Sequence, residues 1–135
     1  MAAKLRIKCP HCGKIGNILP ANPLCPSCKN PIAIPGDACI YLYRQGSPIG
    51  IAGGFGLYLN NQPFGHIGNQ ELLCFPLPYG TYNLHVATGM NRRCNDMLIE
   101  LTPQNRCVYY KVHMRMGFWT NSFVLEPVDP KLLDI

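Results

Sequence analysis

The sequence has little charge and few long stretches without proline. Charged residues make up 14 % of the 135 residues, whereas hydrophobic residues make up 47 %, a balance too apolar for a disordered chain. Thirteen prolines and thirteen glycines interrupt the chain. Because proline in a helix interior removes a hydrogen bond and clashes with the preceding turn, a helical bundle is excluded. The composition predicts a compact, turn-rich, mostly β protein.

A long apolar run is also missing. The first residues alternate basic and apolar side chains and lack the apolar core of a secretory signal peptide. The apolar piece over residues 48–59 is shorter than the roughly 20 residues that a membrane-spanning helix needs. We therefore expect a cytoplasmic protein without membrane insertion. In that compartment eight cysteines indicate metal ligation or buried thiols rather than disulfides.

Residues 1–36 contain neither an acidic nor an aromatic side chain. Their five bases account for the whole formal charge of +5, because residues 37–135 carry seven bases and seven acids. Such an excess favours an anionic partner, but without an aromatic residue no platform exists for stacking nucleic-acid bases. The few scattered aliphatic residues cannot form a sufficient core, so we expect a bound metal ion to stabilise the segment in its place. The five bases are Lys4, Arg6, Lys8, Lys14 and Lys29.

The same segment contains two Cys-X-X-Cys motifs, CPHC at 9–12 and CPSC at 25–28, with twelve residues between them. Each motif allows one tight turn to direct two sulfurs at one ion, and Gly13 suits that turn because glycine tolerates positive φ. Four thiolates in a closed tetrahedron are the expected ligands of structural Zn²⁺. The sequence predicts one structural zinc ion. Its ligands are Cys9, Cys12, Cys25 and Cys28.

Other interpretations of the two Cys-X-X-Cys motifs have less support. Iron bound as in rubredoxin is the alternative metal, but that site packs around aromatic side chains, which residues 1–36 lack. His11 is a further potential ligand, yet four sulfurs already complete the site, so we expect it to face solvent. Four thiolates with one Zn²⁺ carry a formal charge of −2, which lowers the charge of the segment to about +3. Docking to protein is thus favoured over contact with nucleic acid.

Beyond a short proline-containing connector at 30–37, the pattern changes to strands. Residues 38–44 and 55–59 alternate in polarity with period two, as strands with one buried face do. Asn60-Asn61 suits a tight hairpin turn. Seven or eight such strands predict an antiparallel β-sandwich over residues 37–135, preceded by a zinc module over residues 1–36. If two of its strands pair, one face is a polar patch with Glu100 as a charge partner. The patch consists of Asn83, His85, Tyr109, Lys111, His113 and Arg115.

Both parts resemble known families. Residues 8–34, with the knuckles CPHCG and CPSCK, resemble zinc ribbons, although Lys29 stands where glycine is common. Residues 37–128 are similar to PEGA-type bacterial β-domains through LNNQPFG at 59–65 and LPYGTY at 77–82. The second resemblance implies a bacterial interaction or spacer domain without catalytic residues. We therefore predict a non-enzymatic zinc protein that binds a partner protein as an adaptor.

The remaining cysteines and glycines suggest weaker alternatives. Cys39, Cys74 and Cys107 lie in predicted strands, where a thiol behaves as a small buried hydrophobe. Cys94 follows two arginines, and nearby cations would make a thiol more reactive. A thiol enzyme using Cys94 with His85 or His113 is therefore an alternative, although these residues have no diagnostic spacing. The glycine-rich residues 50–56 lack the Lys-Ser or Lys-Thr of a phosphate-binding loop.

Overall fold

A computed structural model of the chain describes residues 3–19, 21–45, 55–88, 92–93, 96–116 and 121–133. Nearly all regular structure in these residues is β, and among them no helix is long and apolar enough to cross a membrane. The strands are β1 (Lys4–Lys8), β2 (Ile15–Ile18), β3 (Ala38–Arg44), β4 (Phe55–Leu59), β5 (Gln62–Ile67), β6 (Leu72–Leu77), β7 (Gly80–Thr88), β8 (Arg92–Arg93), β9 (Met97–Leu101), β10 (Cys107–Met116) and β11 (Asn121–Pro127). A 3-10 turn, Pro130–Leu133, follows β11.

The strands form two sheets that pack face to face. The first has the order β11-β10-β3-β6-β1-β2, and the second has the order β5-β4-β7-β8, with β9 paired to β7. One cluster of buried side chains draws on both sheets and includes Ile40, Phe75 and Val112 from the first, and Leu57 and Leu84 from the second. This arrangement confirms the predicted β-sandwich.

Local patterns in the sequence account for most of the strands. In β3, Ala38, Ile40, Leu42 and Arg44 are buried, and the three residues that alternate with them are half-buried. Asn60 and Asn61 have φ values of 52° and 63°, as a type I′ hairpin turn requires, and they join β4 to β5. The turn before β7 is closed by the Tyr82 hydroxyl, which donates to the carbonyl of Pro78 at 2.8 Å.

Two strand pairs are parallel, which the alternation of side chains does not predict. β3 pairs with β10 from Cys39↔Cys107 to Arg44↔Val112, and β1 pairs with β6 at Lys4↔Leu73 and Leu5↔Cys74. The second pair places a strand of the predicted zinc module in the same sheet as the strands that follow residue 37. The division of the chain into two domains at residue 36 remains a prediction. However, β1, which precedes residue 36, and β6, which follows it, are hydrogen-bonded neighbours in one sheet.

Arg6 of β1 links the first hairpin to the second sheet. Its side chain is buried; Nε donates to Asn17 Oδ1 at 2.6 Å, and one terminal nitrogen donates to the Phe64 carbonyl at 3.2 Å. Burial lowers the pKa of Arg6, partly offset by the charge of Glu71. Gly65, with φ of 84°, is so close to the guanidinium that an added Cβ would lie 2.5 Å from one of its terminal nitrogens. One of the five bases assigned to an anionic partner is thus engaged inside the molecule.

The predicted polar patch does not form. β7 and β10 lie in different sheets, so Asn83 and His85 are separated from the polar residues of β10. His85 is buried, stacks on Tyr58 with ring centroids 4.8 Å apart, and lies 3.5 Å from Asp96. The charge partner predicted for the patch is also wrong. Glu126 of β11, rather than Glu100, contacts Lys111 at 3.4 Å and His113 at 3.2 Å.

We expect Gly65→Ala to destabilise the protein by about 1–3 kcal/mol, because a left-handed backbone disfavours a Cβ and that Cβ would lie 2.5 Å from Arg6. Gly68→Ala is the matched control, since no atom lies within 4 Å of its added Cβ. Urea unfolding measures both. Equal stabilities of the two variants would contradict the close approach of Arg6 to β5.

Candidate metal centre

The four cysteines of the two Cys-X-X-Cys motifs meet at one point. Their sulfur atoms all lie within 4.8 Å of one another. The Sγ atoms of Cys9 and Cys28 are 3.7 Å apart, and those of Cys12 and Cys25 are 3.5 Å apart. A tetrahedron with Zn–S bonds of about 2.3 Å has edges of roughly 3.8 Å, so the donor set fits one zinc-sized ion.

Each motif forms a turn at the end of a hairpin, and the two turns share one hydrogen-bond pattern. Gly13 N donates to Cys9 O at 2.9 Å, and Lys29 N donates to Cys25 O at 3.0 Å. Both residues after the motifs are left-handed, with φ of 76° at Gly13 and 64° at Lys29. The first turn joins β1 to β2, whereas the second is flanked by the bridge Leu24↔Pro31.

Amide groups of the turns point at the sulfurs. His11 N donates to Cys9 Sγ at 3.4 Å, and the amides of Ser27 and Cys28 donate to Cys25 Sγ at 3.4 Å each. The side-chain amide of Asn30 adds a contact of 3.5 Å to Cys28 Sγ. N–H groups directed at a sulfur stabilise its negative charge, so the turns favour the thiolate form that metal binding requires.

These contacts give the thiols of the site different pKa values. The amides of Cys28 and Ser27 outweigh burial and lower the pKa of Cys25 to about 6. At Cys12, a backbone hydrogen bond from Lys14 lowers the pKa, but burial and the neighbouring thiols outweigh it and raise the pKa to about 11. Like charges in one site produce such a split, because not all groups can ionise without a cation.

A small apolar cluster surrounds the sulfurs. It contains the buried residues Ile7, Ile18 and Ile32, together with Cys9 and Cys25, and Ile34 packs against it. The connector contributes directly, since Ile32 N donates to Pro23 O at 2.8 Å. Among the described residues the cluster holds three buried aliphatic side chains, a small number that agrees with the expectation that this segment cannot rely on an apolar core.

The charge around the site is smaller than the sequence suggests. Lys4 pairs with Glu71 at 3.1 Å, and Arg6 is buried, so Lys8, Lys14 and Lys29 are the exposed bases that remain. His11 is exposed, as expected for a residue that is not a ligand. The sequence does not predict the contact of Asn30 with the Cys28 sulfur, because a single asparagine beside the motif is not a distinctive pattern.

The other three cysteines that the structure describes do not join this site. Cys74 is buried, as predicted, but Cys39 is half-buried and Cys107 is exposed, so the expectation of three buried thiols was wrong for these two. Cys94 lies outside the described residues, as do positions 50–54 of the glycine-rich segment. Phe55 and Gly56 begin β4. His85 and His113 lie in different sheets.

Comparisons with protein-family models, with curated proteins and with solved structures found no match for this chain. The resemblances to zinc ribbons and to PEGA-type domains therefore remain predictions from the sequence. The convergence of four sulfurs rests on the geometry of this chain alone.

We expect Gly13→Ala to destabilise the metal-loaded chain by about 1–2 kcal/mol, because residue 13 is left-handed and a Cβ there is strained. No atom lies within 4 Å of the added Cβ, so the cost is conformational and not a clash. Gly36→Ala is the control, because its Cβ also meets no atom and its backbone is not left-handed. Urea unfolding in the presence of zinc compares them. A Gly13→Ala variant as stable as Gly36→Ala would refute the assigned turn.

Proposed function

We propose that the chain is a non-enzymatic cytoplasmic zinc protein that acts as an adaptor for another protein. The observation that supports zinc is the match between the sulfur separations of 3.5 and 3.7 Å and a tetrahedral tetrathiolate site. Four protein ligands leave no coordination position for water or substrate. In this proposal the ion therefore stabilises the fold and takes no part in a reaction.

A crevice beside the metal centre supports a role in protein binding. It encloses about 250 Å³ where the β1–β2 hairpin and the connector meet the turn after β6. Its wall is almost entirely apolar, with Lys8 as its one charged residue. The lining residues are Ile7, Lys8, Pro10, Ala33, Pro35, Phe64, Pro76, Leu77 and Pro78.

The shape and chemistry of the crevice suit a short apolar segment of a partner. Four prolines and an exposed alanine give a wall that needs little ordering on binding, so less side-chain entropy is lost. Lys8, which lines the crevice and is exposed, favours an acidic residue next to the apolar segment. Because the metal centre holds both the hairpin and the connector, zinc would preorganise this surface.

Two alternatives have less support. Nucleic-acid binding loses two of its five bases to contacts within the molecule, and a tetrathiolate site with Zn²⁺ adds a formal charge of −2. A thiol enzyme built on Cys94 has no described geometry to support it. Retention on nucleic acid that survives physiological salt would favour the first alternative over an adaptor.

The experiment compares the partners captured by the native chain, Ala33→Glu and Ala21→Glu. Both alanines are exposed, and only Ala33 lines the crevice. We expect a protein that binds the native chain and the Ala21→Glu control, and whose capture by Ala33→Glu falls at least tenfold. The new side chain would fill part of the apolar crevice, and its carboxylate would compete with the acidic residue of the partner for Lys8. Equal capture by all three chains, or capture of no protein, would contradict the proposal. Zinc content, measured in parallel, tests the metal separately.

A further inference from the structure

Three cysteines outside the metal centre lie on neighbouring strands of the first sheet. β10, β3 and β6 are adjacent, and each contributes one: Cys107, Cys39 and Cys74. In β3 every second residue from Ala38 onward faces the core, so Cys39 lies on the opposite face. Cys107 is the register partner of Cys39, and Cys74 is the register partner of Tyr41, which lies on the same face of β3 as Cys39. The three thiols therefore share the outer face of the sheet, away from the sandwich core.

The pair formed by Cys39 and Cys107 has the geometry that a disulfide needs. Their sulfurs are 3.2 Å apart, already in contact. Neighbouring strands are separated by about 4.8 Å, within the roughly 4.4–6.8 Å between Cα atoms that a disulfide spans. Bond formation requires the sulfurs to approach to about 2.05 Å, a movement that side-chain rotation supplies without separating the strands.

Access and shielding differ between the two sulfurs. Cys107 is exposed at the start of β10, whereas Cys39 is half-buried beside Cys74. Tyr41 and Tyr109, the residues that follow them on this face, stack with ring centroids 5.0 Å apart. An external reagent therefore reaches Cys107 first, and Cys39 is held next to it as the second thiol.

A metal ion is a poorer explanation for this cluster. In the described part of the chain, the group of three or more ligand atoms that lie within 4.8 Å of one another is the one at Cys9, Cys12, Cys25 and Cys28. The three outer-face thiols do not meet that spacing. Two sulfurs in contact, one of them exposed, can instead be joined by thiol–disulfide exchange. Burial and the neighbouring Cys39 raise the pKa of Cys107, and the contact with Cys74 and burial raise that of Cys39, so the exchange is faster at alkaline pH.

We propose that Cys39 and Cys107 form a reversible disulfide by exchange with a low-molecular-weight disulfide such as glutathione disulfide. The Cys107 thiolate attacks one sulfur of the small disulfide, forms a mixed disulfide and releases one small thiol. The Cys39 thiolate then attacks the Cys107 sulfur and releases the second small thiol. Two electrons pass from the protein to the small disulfide, and the two protein thiol protons end on the released thiols.

The bond would join two distant parts of the chain. Cys39 and Cys107 are 68 positions apart, and they begin the parallel pair β3–β10. The Arg106 guanidinium already contacts the end of the connector at this point, donating to the carbonyls of Asp37 and Gly36 at 3.0 and 3.3 Å. Oxidation would thus fix the base of the connector to β10, independently of the zinc.

The test exposes the zinc-loaded full-length chain to excess glutathione disulfide. Intact mass, peptide mapping after alkylation and zinc release are then measured. We expect most molecules to lose about 2 Da, the mass of two hydrogens, and to yield a peptide pair linking residues 39 and 107. Zinc should remain bound, and dithiothreitol should restore the original mass.

Single variants separate the pair from its neighbour. Cys107→Ser and Cys39→Ser should each abolish the linked peptides, whereas Cys74→Ser, the matched control from the same cluster, should still form them. A glutathione adduct that persists on Cys107 without a crosslink would overturn the proposal. So would a link from Cys39 to Cys74, or a first disulfide among the four N-terminal cysteines with loss of zinc.

Discussion

The electrostatic conflict among four cysteine sulfurs constrains residues 1–36 of this protein. Cys9 and Cys25 are almost fully buried, and all four sulfurs lie within 4.8 Å of one another. Amides of the turns stabilise thiolates here, but four negative charges at this separation repel one another strongly. A divalent cation resolves the conflict, because it replaces the thiol protons and balances half of the charge.

The consequences of this constraint extend beyond the cysteines. The first turn joins β1 to β2, and β1 continues the sheet by pairing with β6. Without that hairpin, β6 would present an open edge of the kind that promotes unwanted strand pairing. Arg6 reinforces the attachment through the Phe64 carbonyl of the second sheet. Metal binding and the integrity of the sandwich are therefore coupled in our account, although the segment that holds the metal has little core of its own.

Features that depend on neighbouring residues could be read from the sequence. The Cys-X-X-Cys spacing predicted the convergence of sulfurs, because each pair is fixed by one turn. Period-two alternation predicted β3 and β4, and Asn60-Asn61 predicted the hairpin between β4 and β5.

Features that depend on long-range pairing could not be predicted in this way. Nothing local distinguishes β7 as a strand of the second sheet and β10 as one of the first, so the predicted polar patch was wrong. The same holds for the burial of Arg44, which is 2 % exposed, lies 3.6 Å from the Phe55 ring centroid and donates to the Ile67 carbonyl. The contact of Cys39 with Cys107 likewise follows from the register of a parallel pair.

The metal content of the native chain tests this account most directly. Native mass spectrometry of the protein should show one zinc ion per chain, and the Cys12→Ser/Cys25→Ser double variant should bind none. These two residues lie on different turns, so their loss removes half of the tetrahedron while leaving one sulfur on each turn. A native chain that is folded and free of metal, or a double variant that retains one tightly bound zinc ion, would contradict the account.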